Sequence, residues 1–364
     1  MKRLRIVAIE PFYSGSHKLC LDTLQAHSYH EIQILSLAGR HWKWRMHGGA
    51  ITLAKQYREL PESVDLILTS SMLNLAEFRS LAQDISTPCV LYMHENQFNY
   101  EAQPGTRDLH YGFINYTSCM VADRVVFNSQ FHMSSFLSHL EDFLRSMPDQ
   151  KNLDCVAQIA QKSSVIPPCF PLPQQQNKSN HSIPTLLWNH RWEKDKNPRD
   201  FFAALHELKK ANLPFRLILL GERFSRIPEA FARGLDSFAE EICFNGFAKS
   251  LGEYLSLLRQ ADILPVSSWQ DFFGISIVEA IACGCYPILP KRLAYPEHIP
   301  EELHSLHLYE EQDDFVKKLL AAVRNFSNLT DCSSFVAKYH HKNTCKQMDA
   351  LLQDCYLSMC SSDK

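Results

Sequence analysis

Short, continuous apolar runs recur along the first half of the chain, and each leads through a polar turn into a stretch of helical composition. Such runs are typical of parallel strands that are buried on both faces. Alternation of strands with helices predicts a doubly wound α/β sheet. We predict five strands in this half, at residues 4–9, 31–37, 64–69, 88–93 and 124–128.

The same alternation resumes after a stretch rich in proline and polar residues, which has the composition of a partly stiffened linker. Because 364 residues exceed one ordinary core, we predict two domains. They are residues 1–166 and 185–330, joined by a linker at 167–184, and helices at 331–364 are expected to return to the first domain. In the second domain we predict strands at 185–188, 215–220, 242–244, 262–265 and 286–289, and helices at 199–211, 227–238, 250–259, 275–283 and 315–326.

Polar residues gather directly after the predicted strands of the first domain. Ligands of doubly wound sheets bind outside the carboxyl ends of the strands. The segments at those ends are rich in His, Asn, Ser and Gly, and they are residues 11–17, 39–49, 70–73 and 94–97, with Ser129. We therefore predict a ligand site along this edge of the sheet.

Composition narrows the class of protein. A net charge of -3 and a pI near 6.6 argue against a broadly basic nucleic-acid binder, although they leave room for a local basic patch. No apolar stretch approaches the roughly 20 residues that a membrane span requires, and the first residues predict a strand rather than a signal peptide. The twelve cysteines have no framework spacing and no C-x-x-C pair, so we expect reduced thiols and a cytoplasmic protein.

The helix predicted at 275–283 is almost wholly apolar, which leaves Glu279 without a polar face. A buried carboxylate is costly unless hydroxyl or cationic groups meet it. Gly274 precedes the helix, whose free N–H groups and dipole suit a phosphate. A carboxylate beside a phosphate cradle would suit a nucleotide-sugar. A core helix whose one Glu reaches the rim is the alternative, and composition does not separate the two.

The same region resembles glycosyltransferases of the GT-B class. Asp271 and Glu279 are eight positions apart and match the E-x7-E motif of retaining GT-B families, with aspartate in place of the first glutamate. Arg191 and Lys196 follow the first predicted strand of the second domain and resemble the Arg and Lys that neutralise the donor diphosphate in those enzymes. Fixed cations would stabilise the charge on a departing diphosphate. A solvated loop is the alternative, because two acidic residues lie among these cations.

Four longer motifs resemble the tRNA-queuosine mannosyltransferase family: EPFYSGSHK, HWKWRMHGGA, MHENQFNYE and WQDFFGISIVEAIACGCYPILPKRLAYPE. The resemblance runs from residue 4 to residue 300. It implies a GT-B fold, with two Rossmann-like domains facing across a cleft, and a monomeric retaining enzyme that moves mannose from GDP-mannose to queuosine in the anticodon loop of tRNA(Asp). A GT-B enzyme that acts on a glycan or a small molecule, and a tRNA- or sugar-binding homologue without activity, are the alternatives.

The resemblance also assigns roles to residues on the donor side. It implies that four residues are catalytic: His94, Arg191, Lys196 and Glu279. It implies that twelve residues bind the donor: Gly15, Ser16, Arg191, Lys196, Gly221, Asn245, Gly246, Asp271, Phe273, Gly274, Ile275 and Glu279. Asn245 and Gly246 are expected just after a strand, where their backbone would frame the nucleotide base.

The segment GRHWKWRMHGG interleaves cations with tryptophans, which offers charges for phosphates and flat faces for unstacked bases. A surface loop anchored by its tryptophans is the alternative, and the resemblance favours acceptor binding. The implied acceptor residues are His17, Lys43, Trp44, Arg45, His47, Asn96 and Gln97.

No D-x-D motif occurs, so paired aspartates that hold a metal under the diphosphate are not expected. We expect neither a metal nor a cofactor. The resemblance implies that a donor phosphate oxygen deprotonates the acceptor on the face that the leaving group departs from.

Overall fold

The computed structural model describes residues 2–99, 109–174, 182–223 and 227–362. The chain forms two compact units. Unit 1 consists of Met1–Pro171 together with Tyr339–Lys364, and unit 2 consists of Leu172–Lys338. The segment expected to be a linker lies partly outside the described residues.

Each unit contains a six-stranded sheet in which every paired strand is parallel. The strands are β1 Arg5–Tyr13, β2 Glu31–Ala38, β3 Leu66–Ser70, β4 Cys89–Met93, β5 Arg124–Phe127, β6 Ser163–Val165, β7 Thr185–Asn189, β8 Arg216–Leu220, β9 Ile242–Gly246, β10 Ile263–Pro265, β11 Tyr286–Pro290 and β12 Leu308–Tyr309. Their order is β2-β1-β3-β4-β5-β6 in unit 1 and β12-β11-β10-β7-β8-β9 in unit 2.

Helices connect these strands. They are α1 Gly15–His27, α2 Trp42–Arg58, α3 Leu75–Ala82, α4 His110–Val121, α5 Gln130–Arg145, α6 Asp154–Gln161, α7 Pro198–Lys210, α8 Glu229–Ser237, α9 Leu251–Gln260, α10 Ile275–Ala282, α11 His304–His307, α12 Gln312–Arg324 and α13 His341–Ser362. No helix within the described ranges is both long and apolar enough to cross a membrane.

The strand order fixes where a ligand site can form. In unit 1 the chain adds β2 on one side of β1 and then crosses to place β3 on the other. In unit 2 it adds β8 and β9 on one side of β7 and then crosses to place β10 on the other. Connections leave such a switch point in opposite directions and open a crevice at the carboxyl ends of the two strands. The loops after β1, β3, β7 and β10 therefore border the candidate sites.

The core of unit 1 covers both faces of its sheet, as the apolar runs predict. Val7 and Ile9 pack into one buried cluster, whereas Ile6 and Ala8 pack into another. The terminal helix α13 belongs to the second cluster, because its buried side chains contact the same core as α1. All twelve cysteines are free thiols, and most of them are buried.

The structure corrects three details of the sequence predictions in unit 1. Glu10 does not end β1, which continues to Tyr13, because the buried Glu10 carboxylate accepts a hydrogen bond from the Phe12 N–H at 2.8 Å. Most of residues 39–49 is not a loop, since α2 begins at Trp42. Ser129 is a helix cap, since its side chain accepts a hydrogen bond from His132 N–H at 3.0 Å. The short strands β6 and β12 were not predicted.

The close approach of two unit-2 loops requires a glycine at position 221. A Cβ there would lie 1.9 Å from the carbonyl oxygen of His190, so the loops after β7 and β8 would have to separate. We expect Gly221→Ala to lower the free energy of unfolding by about 2 kcal/mol or more. Gly252→Ala is the matched control, because its Cβ would meet only Ser250 Oγ at 3.8 Å. Denaturant unfolding would contradict this reading if both variants were as stable as the parent.

Candidate active site

Lys196 lies where the loops after β7 and β10 meet. Its side chain is largely buried, and its Nζ donates a hydrogen bond to the carbonyl oxygen of Gln270. The same Nζ lies 3.5 Å from Asp195 Oδ2 and 3.8 Å from Asp271 Oδ2. Ser267 Oγ donates to the Lys196 carbonyl at 3.1 Å, which ties the two loops together. The ammonium group is thus held in one place at the switch point of unit 2.

Arg191 supplies a second, more exposed cation in the same loop. Its guanidinium lies 3.1 Å from Glu193 Oε2, and just over half of its side chain is exposed. The neighbouring His190 adds no charge at neutral pH, because burial, together with the charge of Lys196, lowers its pKa to about 3. Positive charge in this loop therefore comes from Arg191 and Lys196.

The start of α10 completes this side of the site. Gly274 adopts a left-handed conformation, with φ of 84°, as the N-cap residue of the helix. The first N–H groups of a helix have no acceptor within the helix, so those at Ile275 and beyond can face an anion. Phe273 holds the preceding turn, because its carbonyl accepts a hydrogen bond from His298 Nε2 at 2.6 Å.

Glu279 is buried and meets a hydroxyl group, as its sequence context predicts. The partner is Tyr254 on α9, whose OH donates to Glu279 Oε2 at 2.7 Å. Asn189, the last residue of β7, donates from Nδ2 to the Tyr254 oxygen at 3.1 Å. Burial raises the pKa of Glu279 to about 7, although the hydrogen bond from Tyr254 opposes that rise.

The loops after β8 and β9 lie beside the loop after β7. Gly221 N–H donates to the carbonyl of Gly246 at 2.9 Å. Arg223 donates to Asn245 Oδ1 and lies 4.2 Å above the ring of Trp192. A Cβ at Gly246 would meet no atom within 4 Å, so the space there is open. Asn245 and Gly246 end β9 rather than follow it, which corrects their predicted position.

In unit 1 the predicted residues His17 and His94 form one buried cluster. Their rings stack with centroids 4.1 Å apart. His17 Nδ1 lies 3.0 Å from Glu10 Oε2, and its Nε2 lies 4.0 Å from Glu95 Oε1. Burial opposes a charge on His17, but the charge and hydrogen bond of Glu10, aided by Glu95, raise its pKa to about 10. Burial and the nearby His17 charge lower the pKa of His94 well below its ordinary value.

Glu10, His17 and His94 are also the one group within the described ranges whose ligand-type atoms could hold a metal ion, since these atoms lie within 4.8 Å of one another. The separation of 3.0 Å between His17 Nδ1 and Glu10 Oε2 is that of a direct hydrogen bond. A proton therefore already satisfies both groups.

The first turns of α2 present the predicted acceptor residues. Trp44 is 63% exposed and lies flat on Gly48, where a Cβ would come within 2.7 Å of the indole ring. Lys43 Nζ lies 5.6 Å from the Trp42 ring centroid, and His47 stacks on the ring of His110 at 4.8 Å.

Arg45, in the same turns, has a structural task. Its Nε donates to the Ala38 carbonyl at 3.1 Å, which fastens the start of α2 to the end of β2.

Two predicted acceptor residues lie in the turn after β4. Asn96 is fully buried, and its Oδ1 accepts hydrogen bonds from Phe98 N–H at 3.0 Å and Asn99 N–H at 3.2 Å. Its Nδ2 has no hydrogen-bond partner among the residues that the structure describes. Gln97 N–H donates to Asn115 Oδ1 at 3.0 Å, and the neighbouring Tyr100 lies outside the described residues.

The predicted residues at the start of α1 border open space. Gly15 has a φ of 51°, and a Cβ there would meet no atom within 4 Å. Ser16 beside it is exposed, whereas the next residue, His17, is buried. The structure thus places the unit-2 residues together along the ends of β7, β8, β9 and β10, and it distributes the unit-1 residues over α1, α2 and the turn after β4.

Sequence reasoning missed several side chains that complete these clusters. They are Glu10, Asn189, Arg223, Tyr254, Trp269 and Arg292. The Arg292 guanidinium lies 3.8 Å from the ring centroid of Trp269, which is 55% exposed beside the Lys196 loop. Only Glu10 carries a signal in the sequence, since a charged residue interrupts an otherwise apolar run.

Comparison with known proteins covers both units. Residues 5–170 match the family described as tRNA-queuosine alpha-mannosyltransferase N-terminal, and residues 172–335 match the family described as glycosyl transferases group 1. A Drosophila melanogaster protein named tRNA-queuosine alpha-mannosyltransferase is 35% identical over 329 residues, which cover 86% of this chain and 85% of that protein.

Solved structures support the fold. HepE of Anabaena, in complex with UDP, aligns with a TM-score of 0.63 and 14% identity over 98% of this chain and 100% of that one. A UDP-forming trehalose-phosphate synthase from Burkholderia xenovorans aligns with a TM-score of 0.66 and 11% identity over 98% and 99%. The predicted GT-B class, with two doubly wound Rossmann-like units, is confirmed. The chain is a glycosyltransferase and belongs to the tRNA-queuosine alpha-mannosyltransferase family.

Proposed function

We propose that this enzyme transfers mannose from GDP-mannose, with retention of configuration, to queuosine in the anticodon loop of tRNA(Asp). The observation that carries the proposal is the 35% identity, continuous through both units, to a protein named for mannosyl transfer to tRNA queuosine. Unit 2 also contains the groups that a nucleotide-sugar needs, at the switch point where such ligands bind.

The donor is proposed to bind along the strand ends of unit 2. Lys196 and Arg191, with the N–H groups at the start of α10, neutralise the diphosphate. Glu279 accepts hydrogen bonds from the ribose hydroxyls. The backbone at Gly221 and Gly246, where a Cβ at Gly246 would meet only open space, frames the guanine.

The chemistry proposed is a substitution at the anomeric carbon of mannose. The bond between that carbon and the β-phosphate oxygen breaks, and a bond to a hydroxyl oxygen of the queuosine cyclopentenediol forms. The hydroxyl proton passes to a phosphate oxygen of the departing GDP. Because the ammonium of Lys196 is already fixed, it stabilises the developing charge on the diphosphate without reorganisation. No metal or cofactor is part of this proposal.

Acceptor RNA is proposed to bind at the start of α2. Trp44 offers an exposed aromatic face on which an unstacked base can lie, and Lys43 and His47 surround it with polar and cationic groups. His94 is proposed to contact the transferred sugar.

Mass spectrometry of tRNA nucleosides tests this function. Purified protein is incubated with GDP-mannose and tRNA(Asp) that contains queuosine, in buffer with EDTA. We expect one hexose to be added to queuosine, and no product with tRNA that lacks queuosine or with UDP-glucose as donor. Absence of the product under all conditions would overturn the acceptor and donor assignments. Product formed only without EDTA would overturn the metal-free chemistry and direct attention to Glu10, His17 and His94.

Glu279→Gln is expected to weaken donor binding while stabilising the fold at pH 8. Burial raises the pKa of Glu279 from 4.5 to about 7, so the folded state keeps a proton that the unfolded chain releases between these values. The free energy of unfolding therefore falls as pH rises through this window, and glutamine removes that loss. We expect a gain on the order of 1–3 kcal/mol at pH 8 that shrinks toward pH 5.

Calorimetric titration with GDP and thermal melts at pH 5 and pH 8 measure both effects. Glu229→Gln is the control, because Glu229 forms an exposed ion pair with Arg233 and should change neither quantity. A Glu279→Gln protein that binds GDP like the parent would remove Glu279 from the donor site.

Substitutions at the start of α2 test the acceptor surface. Lys43→Ala should reduce the slope of log affinity against log salt by about one, because one phosphate contact fewer releases counterions. Trp44→Ala should cost about 1–3 kcal/mol of tRNA affinity with the slope preserved. Lys55→Ala, an exposed cation in the last turn of the same helix, is the control.

Fluorescence titrations with tRNA at several salt concentrations provide the measurement, and GDP binding should be unchanged in every variant. Arg45 is left intact because its bond to Ala38 supports the helix start. If Lys43→Ala and Trp44→Ala both bind tRNA like the Lys55→Ala protein, the acceptor does not bind at α2.

A further inference from the structure

Tyr254 contacts the carboxylate of Glu279, although no sequence motif includes it. Its OH donates to Glu279 Oε2 at 2.7 Å, and its oxygen accepts a hydrogen bond from Asn189 Nδ2 at 3.1 Å. Asn189 is itself held by α10, since its Nδ2 also donates to the Ser276 carbonyl at 2.8 Å and its own carbonyl accepts from Ser276 Oγ at 2.8 Å. The end of β7, helix α9 and helix α10 therefore meet at one hydrogen-bonded chain.

The chain of hydrogen bonds has one direction. An amide Nδ2 group can only donate, so the Tyr254 oxygen acts as acceptor toward Asn189. A phenol has one proton, and that proton is directed to Glu279. Oε2 of Glu279 is thereby fixed, whereas Oε1 has no hydrogen-bond partner within the described part of the chain. One carboxylate oxygen is held by the protein, and the other is left for a ligand.

The charges around this pair fit such a task. Burial, followed by the nearby charge of Glu279, raises the pKa of Tyr254 well above its ordinary value, so the phenol keeps its proton. Burial raises the pKa of Glu279 to about 7, and the Tyr254 hydrogen bond lowers it. Cys283, at the end of α10, is the further titratable side chain that interacts with Tyr254.

We propose that Tyr254, oriented by Asn189, is a positioning residue that holds Glu279 so that its free oxygen meets the vicinal hydroxyls of the donor ribose. This inference rests on the proposed function, which assigns Glu279 to the ribose. It adds a residue whose effect on donor binding should depend on those hydroxyls. A residue that merely joins α9 to α10 would affect every nucleotide equally.

The test compares GDP with 2′,3′-dideoxy-GDP, which lacks the ribose hydroxyls, by calorimetric titration. We expect Tyr254→Phe to weaken GDP binding roughly tenfold at pH 6.5, because a hydrogen bond to a charged group is lost. The loss should shrink at pH 9, where the carboxylate is ionised with or without Tyr254. Dideoxy-GDP should bind Tyr254→Phe and the parent alike.

Two further variants complete the design. Tyr286→Phe removes another buried hydroxyl from unit 2, on a strand that carries none of the proposed site residues, and should match the parent with both nucleotides at each pH. Asn189→Ala frees the Tyr254 hydroxyl to turn and should weaken GDP selectively by a smaller factor. It also provides the test if Tyr254→Phe melts at a much lower temperature than the parent.

The outcomes separate this inference from the proposed donor site. If Tyr254→Phe binds GDP like the parent, or weakens GDP and dideoxy-GDP equally, the positioning role is overturned while Glu279 keeps its assignment. If the parent protein itself binds GDP and dideoxy-GDP with equal affinity, Glu279 does not contact the ribose, and both the donor-site assignment and the positioning role are wrong.

Discussion

A buried ammonium group organises the donor side of this enzyme. Lys196 is largely removed from water, and its charge is met by the Gln270 carbonyl and by the carboxylates of Asp195 and Asp271. An ammonium in such a place is costly unless these partners stay in position. The loops after β7 and β10 are therefore held together, and every other unit-2 residue of the candidate site is placed relative to that junction.

Glu279 shows the opposite use of burial. Its carboxylate is held among apolar helix residues with one phenol as partner, and this raises its pKa to about 7. The fold is less stable with the ionised carboxylate than with a neutral side chain there. A ligand with hydroxyl groups would offset that loss by hydrogen bonding to the free oxygen. Binding and stability therefore oppose each other at this residue, as is common in active sites.

The sequence predicts the parts of this structure that depend on local pattern. Apolar runs locate the strands, and the apolar context of Glu279 predicts a hydroxyl or cationic partner. It does not identify Tyr254, because that contact joins α9 to α10 across twenty-five positions and leaves no local periodicity. The helical start of α2 was missed because its exposed tryptophans and paired glycines resemble a loop, whereas Met46 packs into a small core beneath it. The pairing of Glu10 with His17 likewise depends on the close approach of α1 to the end of β1.

The most direct test of the account is the rate of the chemical step without the fixed ammonium. Single-turnover transfer at saturating GDP-mannose and tRNA is measured for Lys196→Met, which keeps the length of the side chain, and for Lys210→Met, which removes an exposed lysine of unit 2 paired with Glu207. We expect the first substitution to slow transfer about 10²–10³-fold and the second to leave it unchanged. A Lys196→Met rate within about twofold of the parent, a difference of less than 1 kcal/mol in the barrier, would contradict the central claim.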